Sequence, residues 1–143
     1  VAGLSNGGTC AMQVVTRSPG VYRTFLAISA EEHPTLGSVE RTISQGFGGD
    51  HAAYEANDPI SLMAAAPPGR YDGIAGILSV GRQDTSYRGV VPVLAEAATK
   101  SGMTVSTRQY DGAHTWAVWG PALADQVDWL GRRLGIASPS PAS

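Results

Sequence analysis

The chain has a single cysteine, Cys10, and a single lysine, Lys100, in 143 residues. One thiol excludes an intrachain disulfide and any cysteine-based zinc site, and it leaves the redox compartment open. Basic charge is thin as well: 10 Lys and Arg face 12 Asp and Glu, for a net charge of −2, and the arginines are scattered apart from Arg132-Arg133. A nucleic-acid footprint needs a concentrated basic face, so nucleic acid is not an expected partner. No run of about 18 apolar residues is available to cross a membrane. No internal repeat or coiled-coil heptad stands out.

What is present is apolar: 43% of the residues are hydrophobic. The length suits one domain or part of one, able to bury about 68–70% of its unfolded surface. Val1 to Leu4, Phe25 to Ala30 and Ile74 to Val80 have strand character, and the last two run continuously apolar, as strands covered on both faces do. Met103 to Tyr110 is more polar and half alternates, which suits a sheet edge. Helical spacing appears over Gly8 to Thr16 and over Val90 to Lys100, where Gly102 is placed as a stop. A last helix is read from Trp119, Leu123, Val127, Leu130 and Leu134, with Pro121 expected in its first turn.

Strand alternating with helix predicts an α/β fold: a parallel sheet of about four strands with helices on both faces, spanning residues 1–136. Between residues 31 and 71 the pattern breaks into Gly, Pro and short helix signals. Phe47-Gly48-Gly49-Asp50 reads as a turn, and Asp58-Pro59 as the cap of a helix through Ala65. That stretch is either a lid or substrate wall, or a long crossover with short helices of its own. Ala137 to Ser143 is small and Pro-rich, with nothing apolar to anchor it, and is expected to be a disordered tail. Val1 stands where a strand is ending, so the chain is expected to be a piece of something longer.

Gly3-Leu4-Ser5-Asn6-Gly7 fits the G-x-S-x-G nucleophile elbow and lies between an apolar strand and a helix. A sharp strand-to-helix turn holds such a serine in a strained backbone conformation, and side chains at the flanking glycines are expected to collide with their neighbours. The same residues also suit a plain glycine-rich turn with Ser5 as helix cap. They do not suit a dinucleotide fingerprint, because Ser5 occupies the middle glycine position of that motif. No cofactor and no metal are called for.

A serine needs a base, and the base needs an orienting acid. His33 and His51 fall in the irregular middle, where structural roles are the default. His114 follows the last strand in Asp111-Gly112-Ala113-His114-Thr115-Trp116, at the carboxyl edge of the sheet where catalytic loops gather. Asp84, in Gly81-Arg82-Gln83-Asp84, occupies the same kind of address one strand earlier. Asp111 is the competing acid, but Asp-Gly there is explained as a turn. Asp72 precedes its strand and so lies at the wrong end of the sheet. Trp116 and Trp119 are candidate walls of a substrate pocket or plain core packing. Cys10 is expected to point into the core as a small hydrophobe.

Gly3 to Gly8, Gly81 to Asp84 and Gly112 to Trp119 together resemble the esterase family of α/β-hydrolases, which includes esterase D-like enzymes and mycolyltransferase-like acyltransferases. The nearest likeness is to an actinobacterial branch, which Pro34 to Gly37 and Phe47 to Asp50 also suggest. The resemblance spans most of residues 1–135 and corresponds to the family's carboxyl-terminal half. It implies Ser5 as nucleophile, Asp84 as acid, His114 as base and the Asn6 N–H as one oxyanion donor, with an exported or membrane-anchored parent chain. Two departures stand out. Asn6 sits where the family often carries Met or another apolar residue, and the family's first half, with the preceding strands and the loop that usually supplies the other oxyanion donor, is expected to be missing from this piece.

The expected function is hydrolysis of a small-molecule or lipid carboxylic ester through an acyl-enzyme. The alternatives are acyl transfer to a sugar or lipid alcohol by the same triad, or a hydrolase-fold binding module without turnover. The isolated piece is expected to be a weak catalyst. Val1 to Leu4 is expected at an open sheet edge that the family's amino-terminal half or a second chain would pair.

Overall fold

The computed structural model describes residues 1–136, and the tail expected at 137–143 lies outside the described residues. Four parallel strands form one sheet in chain order: β1 (Ala2–Leu4), β2 (Thr24–Ile28), β3 (Ala75–Gly81) and β4 (Thr104–Tyr110). Between and after them come α1 (Asn6–Arg17), α2 (Val39–Gly46), α3 (His51–Glu55), α4 (Pro59–Ala64), α5 (Val90–Lys100) and α6 (Trp116–Arg133).

Every residue of β2 and β3 is buried, which is why both read as unbroken apolar runs. On one face, Met12 and Val15 of α1, Met63 of α4 and Val91, Leu94 and Ala98 of α5 pack with Phe25, Ala27, Leu78 and Val80. The alternate strand residues point the other way, toward α6, where Gln126 donates to the Ser79 hydroxyl at 2.6 Å. β4 is half exposed, as its polar alternation indicates. β1 pairs with β2 alone, so its other edge has no strand partner among the described residues.

The segment between β2 and β3 carries α2, α3 and α4, each entered through a side-chain cap. Ser38, Asp50 and Asp58 accept from the backbone N–H of Arg41, Ala53 and Ser61. Gly48 and Gly49 take φ of 59° and 85° in the turn before α3.

Two expectations fail. Pro121 lies inside α6 rather than in its first turn. The helix begins earlier, at Thr115, which is extended at φ −144° and whose backbone carbonyl accepts from the N–H groups of Val118 and Trp119 at 2.9 and 3.1 Å. Pro121 then leaves the Ala117 carbonyl without its usual donor. Cys10 is exposed rather than in the core. The buried face of α1 is set by Gly8, Ala11, Met12 and Val15, and at about 100° per residue Cys10 falls nearly opposite Met12.

Candidate active site

At the carboxyl edge of the sheet β1 turns directly into α1 through Ser5, whose backbone stands at φ 53°, ψ −125°. A non-glycine residue at positive φ is strained, and here the surroundings hold it. The Ser5 N–H donates to the Ile28 carbonyl at 2.8 Å, and the Ser5 carbonyl accepts from Gly8 and Thr9 at 2.8 and 3.1 Å. Gly3 is required sterically, since a Cβ there would lie 1.9 Å from the Gly7 carbonyl oxygen. Gly7 is not: a Cβ there meets nothing within 4 Å, which corrects the expectation that both flanking glycines prevent collisions.

The β3–α5 and β4–α6 loops meet beside this elbow. Arg82 N–H donates to Tyr110 O at 2.8 Å and Gln83 N–H to Gly112 O at 3.0 Å, while the Gln83 side chain accepts from the Gly112 N–H. Gly81 permits the approach, because a Cβ there would come within 2.3 Å of the Gly112 carbonyl oxygen. The two loops thereby place Asp84 against His114.

His114 Nδ1 lies 2.8 Å from Asp84 Oδ2, and His114 Nε2 lies 2.9 Å from Ser5 Oγ. Asp84 is 2% exposed and its other oxygen accepts from the Tyr87 N–H at 3.2 Å. An ionised carboxylate only accepts, so Nδ1 carries the imidazole proton, leaving Nε2 to accept from the serine hydroxyl. Asn6 is the first residue of α1, where an N–H has no intrahelical acceptor and the helix dipole favours negative charge.

The other sequence candidates separate. Trp119 meets the His114 ring edge-on at 4.8 Å between centroids, and its indole N–H donates to Ser29 Oγ at 3.2 Å. Trp116 is 70% exposed and touches the site through Trp119, at 5.4 Å. Asp111 is exposed and pairs with Arg82 at 2.6 Å, away from the imidazole. His33 is bound to Asp58 at 2.9 Å, and His51 is exposed at the start of α3.

Sequence reasoning missed Tyr87, whose ring centroid lies 4.6 Å from that of His114. It also missed Glu31, which accepts from the Tyr87 hydroxyl at 3.4 Å. An aromatic three residues after the acid is the signal that was available for Tyr87. Burial first, then the charges of Glu31 and Asp84, hold the Tyr87 phenol above its ordinary pKa. A recess of about 210 Å³ opens beside the elbow, lined by Asn6, Thr9, Cys10, Glu31 and Thr35 among others. Among the described residues no cluster of His, Cys, Asp and Glu is arranged to hold a metal ion.

The sequence model of the family described as "Putative esterase" matches residues 1–130. An uncharacterized protein of Corynebacterium glutamicum is 37% identical over 139 residues, covering 95% of this chain and 33% of its own length. An S-formylglutathione hydrolase from Agrobacterium tumefaciens superposes with a TM-score of 0.75 at 24% identity, over 94% of this chain and 48% of that one. A ferulic acid esterase gives 0.74 at 22% identity, over 94% and 51%. The chain thus spans about a third of the curated relative and about half of these solved structures.

Proposed function

Because this chain belongs to the esterase family, we propose that its site hydrolyses a carboxylic ester through an acyl-enzyme formed on Ser5. The observation that carries the reading is the unbroken relay from Asp84 through His114 to Ser5, at 2.8 and 2.9 Å, on a serine with strained backbone geometry. His114 Nε2 takes the hydroxyl proton as Ser5 Oγ bonds to the ester carbon. Buried Asp84 orients the ring and stabilises the imidazolium. The oxyanion that develops lies at the amino end of α1, where the Asn6 N–H is available to it. When the carbon–oxygen bond to the alcohol breaks, His114 returns the proton to the leaving oxygen. It then draws a proton from water as the water oxygen bonds to the acyl carbon, and passes that proton to Ser5 Oγ as the bond from Oγ to the acyl carbon breaks and the acid leaves.

The open edge of β1 has a place in this reading. About half of each solved structure it superposes on lies outside the match, and we infer that a strand from a longer chain or from a second chain covers that edge. A fluorophosphonate probe tests the chemistry directly. Label found on Ser5 by peptide mass spectrometry, and lost in Ser5→Ala and His114→Ala, is the expected result. A folded protein that takes no label at Ser5 overturns the hydrolase reading.

A further inference from the structure

We propose that Tyr87 is a positioning residue for His114 and that Glu31 anchors it, closing the relay into a ring of contacts; this rests on His114 being the catalytic base. The relay runs Ser5, His114, Asp84. A return path runs from Asp84 Oδ1 to the Tyr87 N–H at 3.2 Å, and from the Tyr87 hydroxyl to Glu31 Oε1 at 3.4 Å. It continues from the Glu31 N–H to Thr9 Oγ1 at 2.9 Å, and from the Thr9 N–H to the Ser5 carbonyl at 3.1 Å. Base, acid and nucleophile come from three different loops; this path ties acid to nucleophile, and the Tyr87 ring on it lies against the base.

A histidine needs such help because its χ2 torsion is broad and two-fold, so no rotamer well fixes the ring plane. Here the Tyr87 ring lies against the imidazole at 34° between planes, while Trp119 meets it edge-on at 87°. Turning the ring away from Ser5 requires displacing one of them. Tyr87 is itself held at both ends, by its N–H on Asp84 and its hydroxyl on Glu31. Glu31 is fixed in turn, its other oxygen accepting from the Thr35 N–H and hydroxyl at 3.1 and 3.3 Å. The raised Tyr87 pKa agrees with this, since the hydroxyl must stay protonated to donate.

The test compares Tyr87→Leu, Tyr87→Phe and Glu31→Gln in the protein as its host makes it, using p-nitrophenyl acetate turnover, fluorophosphonate labelling rate at Ser5 and thermal melting. A base misplaced by about 1 Å loses about 10²-fold in rate, so Tyr87→Leu is expected to lower kcat about 30- to 100-fold with KM within about twofold. Tyr87→Phe, which keeps the ring, recovers kcat to within about threefold. Glu31→Gln, which keeps one acceptor oxygen, costs less than Tyr87→Leu, with KM again unchanged.

Tyr87→Leu at wild-type kcat, a loss carried by KM, or Tyr87→Phe as slow as Tyr87→Leu overturns the proposal. If Tyr87→Leu does not fold, a labelling rate in both Tyr87→Phe and Glu31→Gln equal to wild type overturns it, and slowed labelling in Glu31→Gln at unchanged melting temperature supports it. Wild-type label on Ser5 with no effect of any variant leaves the hydrolase reading intact and removes only Tyr87. Absence of wild-type label removes both.

Discussion

The molecule contains two histidine–aspartate pairs of almost the same geometry. His114 Nδ1 meets Asp84 at 2.8 Å and His33 Nδ1 meets Asp58 at 2.9 Å; each carboxylate side chain is 1% exposed, and the two rings are 30% and 35% exposed. They differ at the second ring nitrogen. His114 Nε2 faces the Ser5 hydroxyl at 2.9 Å, whereas His33 Nε2 faces the Glu32 carboxylate at 3.5 Å. The two aspartates differ also. Asp58 gives its free oxygen to the Ser61 N–H and hydroxyl and so caps α4, while Asp84 gives its own to Tyr87, beside the imidazole. A buried His–Asp pair is therefore not in itself a reactive site; what faces the far nitrogen, and from which loop, decides.

The contrast is broken most severely by removing the far-side partners. Ser5→Ala or His114→Ala is expected to lower ester turnover by about 10⁶-fold, since members of a triad work as a unit. His33→Ala should leave it within about threefold in steady-state assays. Equal losses would erase the distinction. The acids come next: Asp84→Asn is expected to cost up to about 10⁴ in kcat through the wrong imidazole tautomer. Asp58→Ala should instead cost about 1–3 kcal/mol of stability in urea unfolding, by removing a cap and orphaning buried donors.

High pH should reveal the second pair through its neighbour. Tyr54 is 4% exposed and donates to Pro34 O at 3.2 Å; burial first, then Asp58, Glu31 and Glu40, push its pKa up to about 12. The neutral phenol is the form the fold favours, so this contribution is full below pH 10, the ordinary tyrosine value, and is lost as pH rises through about 12. The loss amounts to about 2–3 kcal/mol, and Tyr54→Phe should flatten the decline in unfolding curves taken across that range. The smallest effect is expected of the acid nearest to His114 in sequence. The Asp111–Arg82 pair is 84% and 51% exposed, so Asp111→Asn should alter stability by about 0–1 kcal/mol and turnover by less than about twofold.

Much of this is legible in the sequence. Unbroken apolar runs identified β2 and β3 because both faces of each are covered, and the carboxyl ends of the strands directed attention to Ser5, Asp84 and His114. The rest depended on phase and reach. Cys10 was misplaced because a helix pattern gives spacing, while its orientation depends on which side the sheet lies. Pro121 was misplaced because Thr115, not a residue nearer the proline, starts α6. Tyr87 and Glu31 are 56 residues apart and meet only because the ends of β2 and β3 adjoin in the sheet. Ser29 at φ 50°, beneath Trp119, had no signal, since nothing about a serine indicates a left-handed backbone.

The backbone at Ser5 also bears on how relatives of this chain can be read. A left-handed conformation costs a non-glycine residue about 1–3 kcal/mol that glycine does not incur, so Ser5→Gly should relieve strain while abolishing the nucleophile. Stability alone would therefore favour glycine at that turn, and on the hydrolase reading the hydroxyl is what serine supplies in exchange. Relatives that have lost the activity are therefore expected to carry glycine at this turn more often than active ones, which assaying relatives that differ at this position would check.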